Sequence, residues 1–253
     1  MKRILAEREL LDLPKRATRS EIEGNLADIT RANRWLGATA VVLRHLSHLI
    51  ALSPARQPVR ILDLGTGAAD IPVAIVHWAR DHSIAVQIAA VDGNPEVLEY
   101  ARRNTRGFPE ICLAEQNILD LRFEDRCFDF VICSQILHHL ENDEALSMLR
   151  SANRLSTQGI VVSDLRRRGV CIFAAEIGSR LLRNRLSRHD ARVSFRNAFT
   201  PAEMRELAEQ AELPCYALRF HGPCRFALIV DKRATICQPE TNHSTACHAR
   251  VMA

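Results

Sequence analysis

Lysine is nearly missing from this 253-residue sequence: Lys2, Lys15 and Lys232 are the only lysines among 34 basic side chains, and the other 31 are arginines. A coding bias toward arginine accounts for that ratio, so arginine is informative only where it clusters. Glycine and proline are scarce, ten of each, which excludes collagen-like and low-complexity chains. No stretch approaches the ~18 apolar residues of a membrane span. The start, Met1-Lys2-Arg3-Ile4-Leu5-Ala6-Glu7-Arg8-Glu9, mixes charge of both signs, unlike a signal peptide. The eight cysteines, at 112, 127, 133, 171, 215, 224, 237 and 247, form no C-x-x-C, and most lie in apolar runs such as Phe130-Val131-Ile132-Cys133. They read as small buried hydrophobes of a reducing cytoplasm. His243, Cys247 and His248 are too irregularly spaced to define a metal site, so no metal is expected. The net charge of +4 is too small to mark a nucleic-acid binder.

What is present is an ordinary globular composition, 47% apolar, long enough for one large domain with accessory helices. Ile22, Leu26, Ile29, Asn33 and Leu36 recur at helical spacing, Ser20 and Glu23 suggest a capping box, and Gly37 suggests a break, so 21–52 should be helical. From position 59 short apolar runs alternate with helical stretches. Strands are expected at 59–64, 86–91, 111–114, 128–133 and 160–163, and helices at 70–81, 95–103 and 142–155. Nearly continuous apolar strands between helices predict a parallel sheet covered on both faces. The runs 215–220 and 226–230 flank His221-Gly222-Pro223 and predict a closing antiparallel hairpin. The expected organisation is a helical cap (1–57), a main domain (58–232) with a helical insertion (166–199), and a polar tail (233–253) without fixed structure.

Ligands of such sheets bind at the carboxyl ends of the strands. The first strand ends in Asp63-Leu64-Gly65-Thr66-Gly67-Ala68-Ala69-Asp70. A dinucleotide site would need a third glycine where Asp70 stands, and Asp63 and Asp70 would repel a pyrophosphate. S-adenosylmethionine has no phosphate; it carries an ammonium and a sulfonium, which acids attract, and a carboxylate that helix-terminal amides can receive. Asp92, ending the second strand, is placed to accept both ribose hydroxyls, although an acid before Asn94-Pro95 can also be a helix cap.

Over residues 58–165 the sequence resembles the class I S-adenosylmethionine-dependent methyltransferases. Ile61-Leu62-Asp63-Leu64-Gly65-Thr66-Gly67 is similar to their first motif and Ala90-Val91-Asp92-Gly93-Asn94-Pro95 to their ribose-binding motif. Asn117 to Phe123 and Phe128 to Ile132 are similar to their third and fourth segments. The resemblance implies an α/β fold, a Rossmann-like seven-stranded, mostly parallel sheet with an antiparallel C-terminal hairpin and helices on both faces. It also implies a donor site of Asp63, Gly65, Thr66, Gly67, Asp92, Gly93, Asn117, Ile118 and Ser134. Two departures stand out: Ala69 replaces the third glycine, and Asn117 replaces the usual aspartate at the adenine amino group.

Ser134-Gln135-Ile136-Leu137 lacks the motif that grips a nucleobase amine, and Leu137-His138-His139-Leu140 resembles the small-molecule branch that includes quinone-biosynthesis methyltransferases. His138 and His139 are candidate general bases, one of them alternatively capping the helix near Asn142. In the 166–199 insertion, Val170, Phe173, Ala174, Ile177, Leu181 and Leu182 recur at helical spacing. That face suits a lid over a greasy acceptor or a contact with a membrane surface, with arginines meeting an anionic group. His189, beside Asp190, is a third candidate base. Residues 166–196 hold nine arginines and two acids, a local charge of +7 in a chain whose remainder is about −3. The expected activity is cytoplasmic methyl transfer to a small, largely apolar acceptor, lipophilic or anionic, at a phenolic or other hydroxyl. Transfer to carbon of a quinone or polyketide precursor, a non-catalytic donor-binding module, and a protein or RNA methyltransferase are the alternatives.

Overall fold

A computed structural model describes residues 7–12, 17–53 and 57–234, with only the backbone of Asp12. The strands are β1 (Val59–Leu64), β2 (Val86–Asp92), β3 (Ile111–Glu115), β4 (Phe128–Ser134), β5 (Ser156–Leu165), β6 (Tyr216–His221) and β7 (Arg225–Asp231). They form one sheet in the order β3-β2-β1-β4-β5-β7-β6. β1 to β5 are parallel, and β7 runs antiparallel to both β5 and β6. The expected fold is therefore present, and the chain order reverses at the β1–β4 junction, where such sheets hold ligands.

The helices are α1 (Arg19–Trp35), α2 (Ala38–Ala51), α3 (Asp70–Asp81), α4 (Pro95–Asn104), α5 (Asn142–Leu155), α6 (Gly169–Gly178), α7 (Arg185–Asn197) and α8 (Pro201–Gln210). One sheet face packs Leu62, Val131 and Ile160 against Met148 of α5 and Met204 of α8. The other packs Ile61, Phe130 and Val161 against Leu46 of α2 and Ile75 of α3. Each such fully buried aliphatic side chain stabilises the fold by about 1.5–3 kcal/mol. α2 thus belongs to the sheet's covering layer. α1 instead joins Ala68, Val97 and Leu186 in a separate cluster above the strand ends, which ties it to α7.

Several local expectations change. The box at the start of α1 is Thr18 with Glu21, two residues before the expected Ser20 and Glu23. Gly37 does separate α1 from α2, at φ 78°. β5 is ten residues long, 156–165, because its partners β4 and β7 extend the ladder past the apolar core. The reading of all cysteines as small buried hydrophobes is also corrected. Cys171 of α6 and Cys224 before β7 are joined by a disulfide with Cα atoms 5.6 Å apart. Among the free cysteines described, Cys133 is buried, Cys112 is exposed, and Cys127 and Cys215 are intermediate. The pairing arises because the insertion folds back over the β6–β7 turn, a proximity absent from any sequence spacing. Cys237, Cys247, His243 and His248 lie outside the described residues, as does the tail from 235 on. Arg233 is held by Asp231, with Nε 2.8 Å from Oδ1. No described helix is long and apolar enough to cross a membrane.

The insertion is two helices, α6 and α7, joined by a 3-10 turn at Ser179–Leu181. The expected apolar stripe divides, with Ala174 and Leu182 lining the cavity and its four larger members of α6 and the following turn facing outward. Val170, Phe173, Ile177 and Leu181 are exposed, while Ala174 and Leu182 line the interior cavity together with Cys171, Ala175 and Ser179. The inward positions are mostly small, which leaves room beneath α6.

Candidate active site

A cavity of about 1840 Å³ lies above the carboxyl ends of β1, β2 and β4, roofed by α1, α6 and α7. A single small ligand fills roughly 300–1,000 Å³, so this volume accommodates two.

The first end of the cavity is built by the β1–α3 turn. Gly65 sits at φ 68° and Gly67 at φ 55°. A side chain at Gly65 would be strained and would run into Ile136. Ala69 also adopts φ 58°, so its replacement of the third glycine carries a local backbone cost. Asp92 Oδ2 accepts the Gly67 amide at 3.0 Å, and Oδ1 accepts the Asn94 amide at 3.0 Å. It is not the cap of α4: that is Asn94, whose Oδ1 accepts from Glu96 and Val97. Asp63 is buried and Asp70 begins α3. Burial, with Asp70 and Asp92 adding, pushes the Asp63 carboxyl up to about 7. Asp70 is likewise raised by burial. Three carboxylates around glycine amides fit a ligand that carries positive charge and hydroxyls, and they reject phosphate.

All nine expected donor residues line this cavity: Asp63, Gly65, Thr66, Gly67, Asp92, Gly93, Asn117, Ile118 and Ser134. The Asn117 side-chain oxygen already accepts the Leu119 amide at 2.9 Å, so the turn uses the atom expected to meet adenine. Ser134 Oγ is buried with no hydrogen-bond partner.

The candidate bases separate. His138 and His139 lie on a 3-10 turn just after β4. Neither caps α5, whose capping box is Glu141 with Glu144. His138 is buried with Nδ1 2.6 Å from Asp164 Oδ1 and Nε2 3.3 Å from Glu9 Oε1. Burial opposes its charge, but Asp164 and Glu9 outweigh that and raise it to about 10. Glu9 is held down to about 2, because His139 and His138 outweigh its burial. His138 is therefore a fixed cation, which corrects the expectation that it could act as a base. His139 Nε2 lies 3.7 Å from Glu9 Oε2, and its side chain keeps 19% exposure. It lines the cavity. His189 does not: its Nδ1 meets Asp190 Oδ1 at 3.0 Å and its Nε2 meets Glu7 Oε1 at 2.9 Å, on the outer side of α7. His189 and Asp190, adjacent in sequence, thus bond each other.

Glu9, His138 and His139 are also the one group among the described residues whose ligand-type atoms gather within 4.8 Å. The two carboxylates of Glu9 and Asp164 already engage both nitrogens of His138.

Sequence reading missed Glu9, Asp164 and Gln135. Asp164 ends an apolar strand, a readable signal had β5 been drawn to its full length. Glu9 offered no local signal, since long-range bonds to α7 bring it to the site: Leu10 N donates to Asp190 Oδ1 at 2.8 Å, Asn197 Nδ2 to the Glu7 carbonyl at 2.7 Å, and Ser194 Oγ to Glu9 Oε1.

Residues 61–159 match the family described as a methyltransferase domain. No curated protein matches the sequence. Solved structures do. A SAM-dependent methyltransferase from Aquifex aeolicus is 14% identical with TM-score 0.57, over 85% of this chain and 98% of that one. Human N-acetylserotonin methyltransferase in complex with SAM is 18% identical with TM-score 0.61, over 85% of this chain and 56% of that one. The plantazolicin methyltransferase in complex with SAH is 13% identical with TM-score 0.59, over 83% of this chain and 95% of that one. These likenesses are of fold; the donor chemistry follows from the matched domain and from the acid-lined glycine turn at the strand ends. The chain carries a class I S-adenosylmethionine-dependent methyltransferase domain and is an enzyme that uses S-adenosylmethionine.

Proposed function

We propose that the enzyme methylates a hydroxyl oxygen, phenolic or similar, of a small and largely apolar acceptor. The observation that carries this reading is the His139 imidazole, open to the cavity and backed by Glu9 while His138 is locked as a cation. When bound, S-adenosylmethionine supplies an electrophilic methyl group for in-line displacement. Asp92 receives ribose hydroxyls, Asp63 faces positive charge, and Asn117 and Ile118 flank the adenine. His139 takes the hydroxyl proton through the ring nitrogen turned away from Glu9, and Glu9, beside Nε2, stabilises the imidazolium that forms. His138 and Asp164 act as positioning residues that hold the turn and Glu9 in place. α1, α6 and α7 exclude water from the cavity.

Transfer to carbon is the second reading. The fold likeness to the CMeT domain of the citrinin polyketide synthase favours it, at 14% identity, TM-score 0.57 and coverage of 73% of this chain and 49% of that one. A screen with labelled donor against phenols, hydroxy lipids and quinone precursors separates the two: the product of O-transfer is an ether. A panel in which no acceptor is labelled on oxygen sinks the first reading.

We also propose that the exposed stripe of α6 rests on an anionic membrane surface. Val170, Phe173, Ile177 and Leu181 are flanked by Arg168, Arg180 and Arg183, none of which has an ion-pair partner among the described residues. The one acid of α6, Glu176, is neutralised by Arg192 and Arg196. Apolar residues interleaved with free cations match a charged lipid interface. The cytoplasm is the proposed compartment, and the Cys171–Cys224 bridge then has to persist or cycle against a reducing pool.

A further inference from the structure

The same cavity holds a charge that methyl transfer as described leaves unused. Arg225 opens β7, is 6% exposed, and lines the cavity with Gln135, His221 and Cys224. Its Nη1 has no hydrogen-bond partner. Its Nη2 meets Gln135 Oε1 at 3.5 Å, a long contact. No carboxylate lies within ion-pair distance of it among the described residues, and Asp164 acts on it from farther away. A desolvated cation with free donors is costly unless something pairs with it.

The surroundings reinforce the sign. Arg44 lines the cavity too and acts on both His45 and His221. His45 and His221 face each other there, Nε2 to Nε2 at 2.8 Å. Burial, followed by His221 and Arg44, lowers His45 to about 4, and burial, followed by Arg44 and Arg225, lowers His221. Both imidazoles are shifted toward their neutral forms, and Arg44 and Arg225 supply the positive charge there. Gln135 Nε2 donates to Asn33 Oδ1 and Asn33 Nδ2 to Asp70 Oδ2 at 3.1 Å, so side-chain amides stand between the guanidinium and the acid at the start of α3.

We infer that Arg225 is an anion-binding subsite for the methyl acceptor, its guanidinium fork taking a carboxylate or a comparable planar oxyanion through paired N–H···O bonds. Arg44 adds charge at the rim. The inference rests on the reading of this cavity as the acceptor site and deepens it: the acceptor is an apolar acid, not a neutral oil.

Calorimetry on the full chain saturated with S-adenosylhomocysteine tests this, using benzoate, 4-hydroxybenzoate and hexanoate against their neutral amides. The carboxylates should bind more tightly than the amides. Arg225→Gln should weaken carboxylate binding by about tenfold or more while leaving the amides unchanged. Arg225→Lys should recover part of the loss, because charge without the fork remains. Carboxylates binding no better than amides, or unaffected by Arg225→Gln, would overturn the subsite. S-adenosylhomocysteine affinity of each variant reports folding. Should Arg225→Gln fail that check, the wild-type preference and the Arg225→Lys variant decide. Methyl transfer in the acceptor screen is read separately, so loss of the subsite and loss of the methyltransfer reading remain distinguishable.

Discussion

His138 Nδ1 and Asp164 Oδ1 approach to 2.6 Å inside the protein, joining the turn after β4 to the end of β5. With Glu9 on the other nitrogen, an imidazolium lies between two carboxylates, and its charge is structural. Breaking a buried pair from one side costs about 3–5 kcal/mol. Asp164→Ala should lower stability by that amount in a denaturant titration; a change below about 1 kcal/mol would show that the pair is not structural.

The pH dependence follows with opposite signs for the two partners. His138 is raised to about 10, so its contribution is full below its ordinary 6.5 and is lost as pH rises toward 10. Glu9 is lowered to about 2, so its contribution is full above its ordinary 4.5 and is lost as pH falls toward 2. Both are complete together between those ordinary values. Melting temperature should fall from about pH 7 toward 10 in the wild type, and His138→Gln should flatten that alkaline limb.

His139→Ala should reduce turnover about 100-fold or more with donor affinity unchanged, the loss expected for a missing general base. Glu9→Gln should act in the same direction but more weakly. Full turnover by His139→Ala would leave alignment alone as the source of rate.

Donor binding should strengthen as pH rises. Asp63, pushed up to about 7, is largely protonated at pH 6 and must ionise to meet positive charge. Calorimetry at pH 6 and pH 8 should show tighter S-adenosylmethionine binding at pH 8. Asp92→Ala should weaken it by at least about 100-fold, since it removes a charged acceptor of several hydrogen bonds. NAD should not compete.

Flotation with phosphatidylcholine vesicles, with and without phosphatidylserine, tests the α6 surface. Binding should require the anionic lipid, weaken with salt, and drop about tenfold in Phe173→Asp or Arg180→Glu. Equal recovery of these variants would remove the membrane reading; a dimer dissolved by Phe173→Asp would assign the stripe to a second copy. Alkylation before lysis then reports whether Cys171 and Cys224 are paired in the cell. Across their 53-residue separation the bridge stabilises by up to about 4 kcal/mol, so reduction should lower the melting temperature.

The sheet and the donor end were legible because they are local: strand, glycine turn and acid follow one another within 59–95. Asp92 and the β1–α3 turn carry their meaning in adjacent residues. The acceptor end is assembled from Glu9, Gln135, His139, Asp164 and Arg225, which four separate segments bring together, and no spacing announces that. The α6 stripe shows a second limit. Its periodicity located the helix correctly, but periodicity reports that a face is apolar, not which way it turns. Small residues on the neighbouring face decided the orientation.

The charged lining also bears on encounter. Asp63, Asp70 and Asp92 around the glycine turn attract the cationic groups of the donor, and Arg225 with Arg44 attracts an anionic acceptor. Attraction of each ligand to lining of opposite sign adds to shape in sorting the two. In turnover, ionic strength then becomes a probe of ligand traffic: added salt should slow productive capture of both ligands while leaving the chemical step untouched.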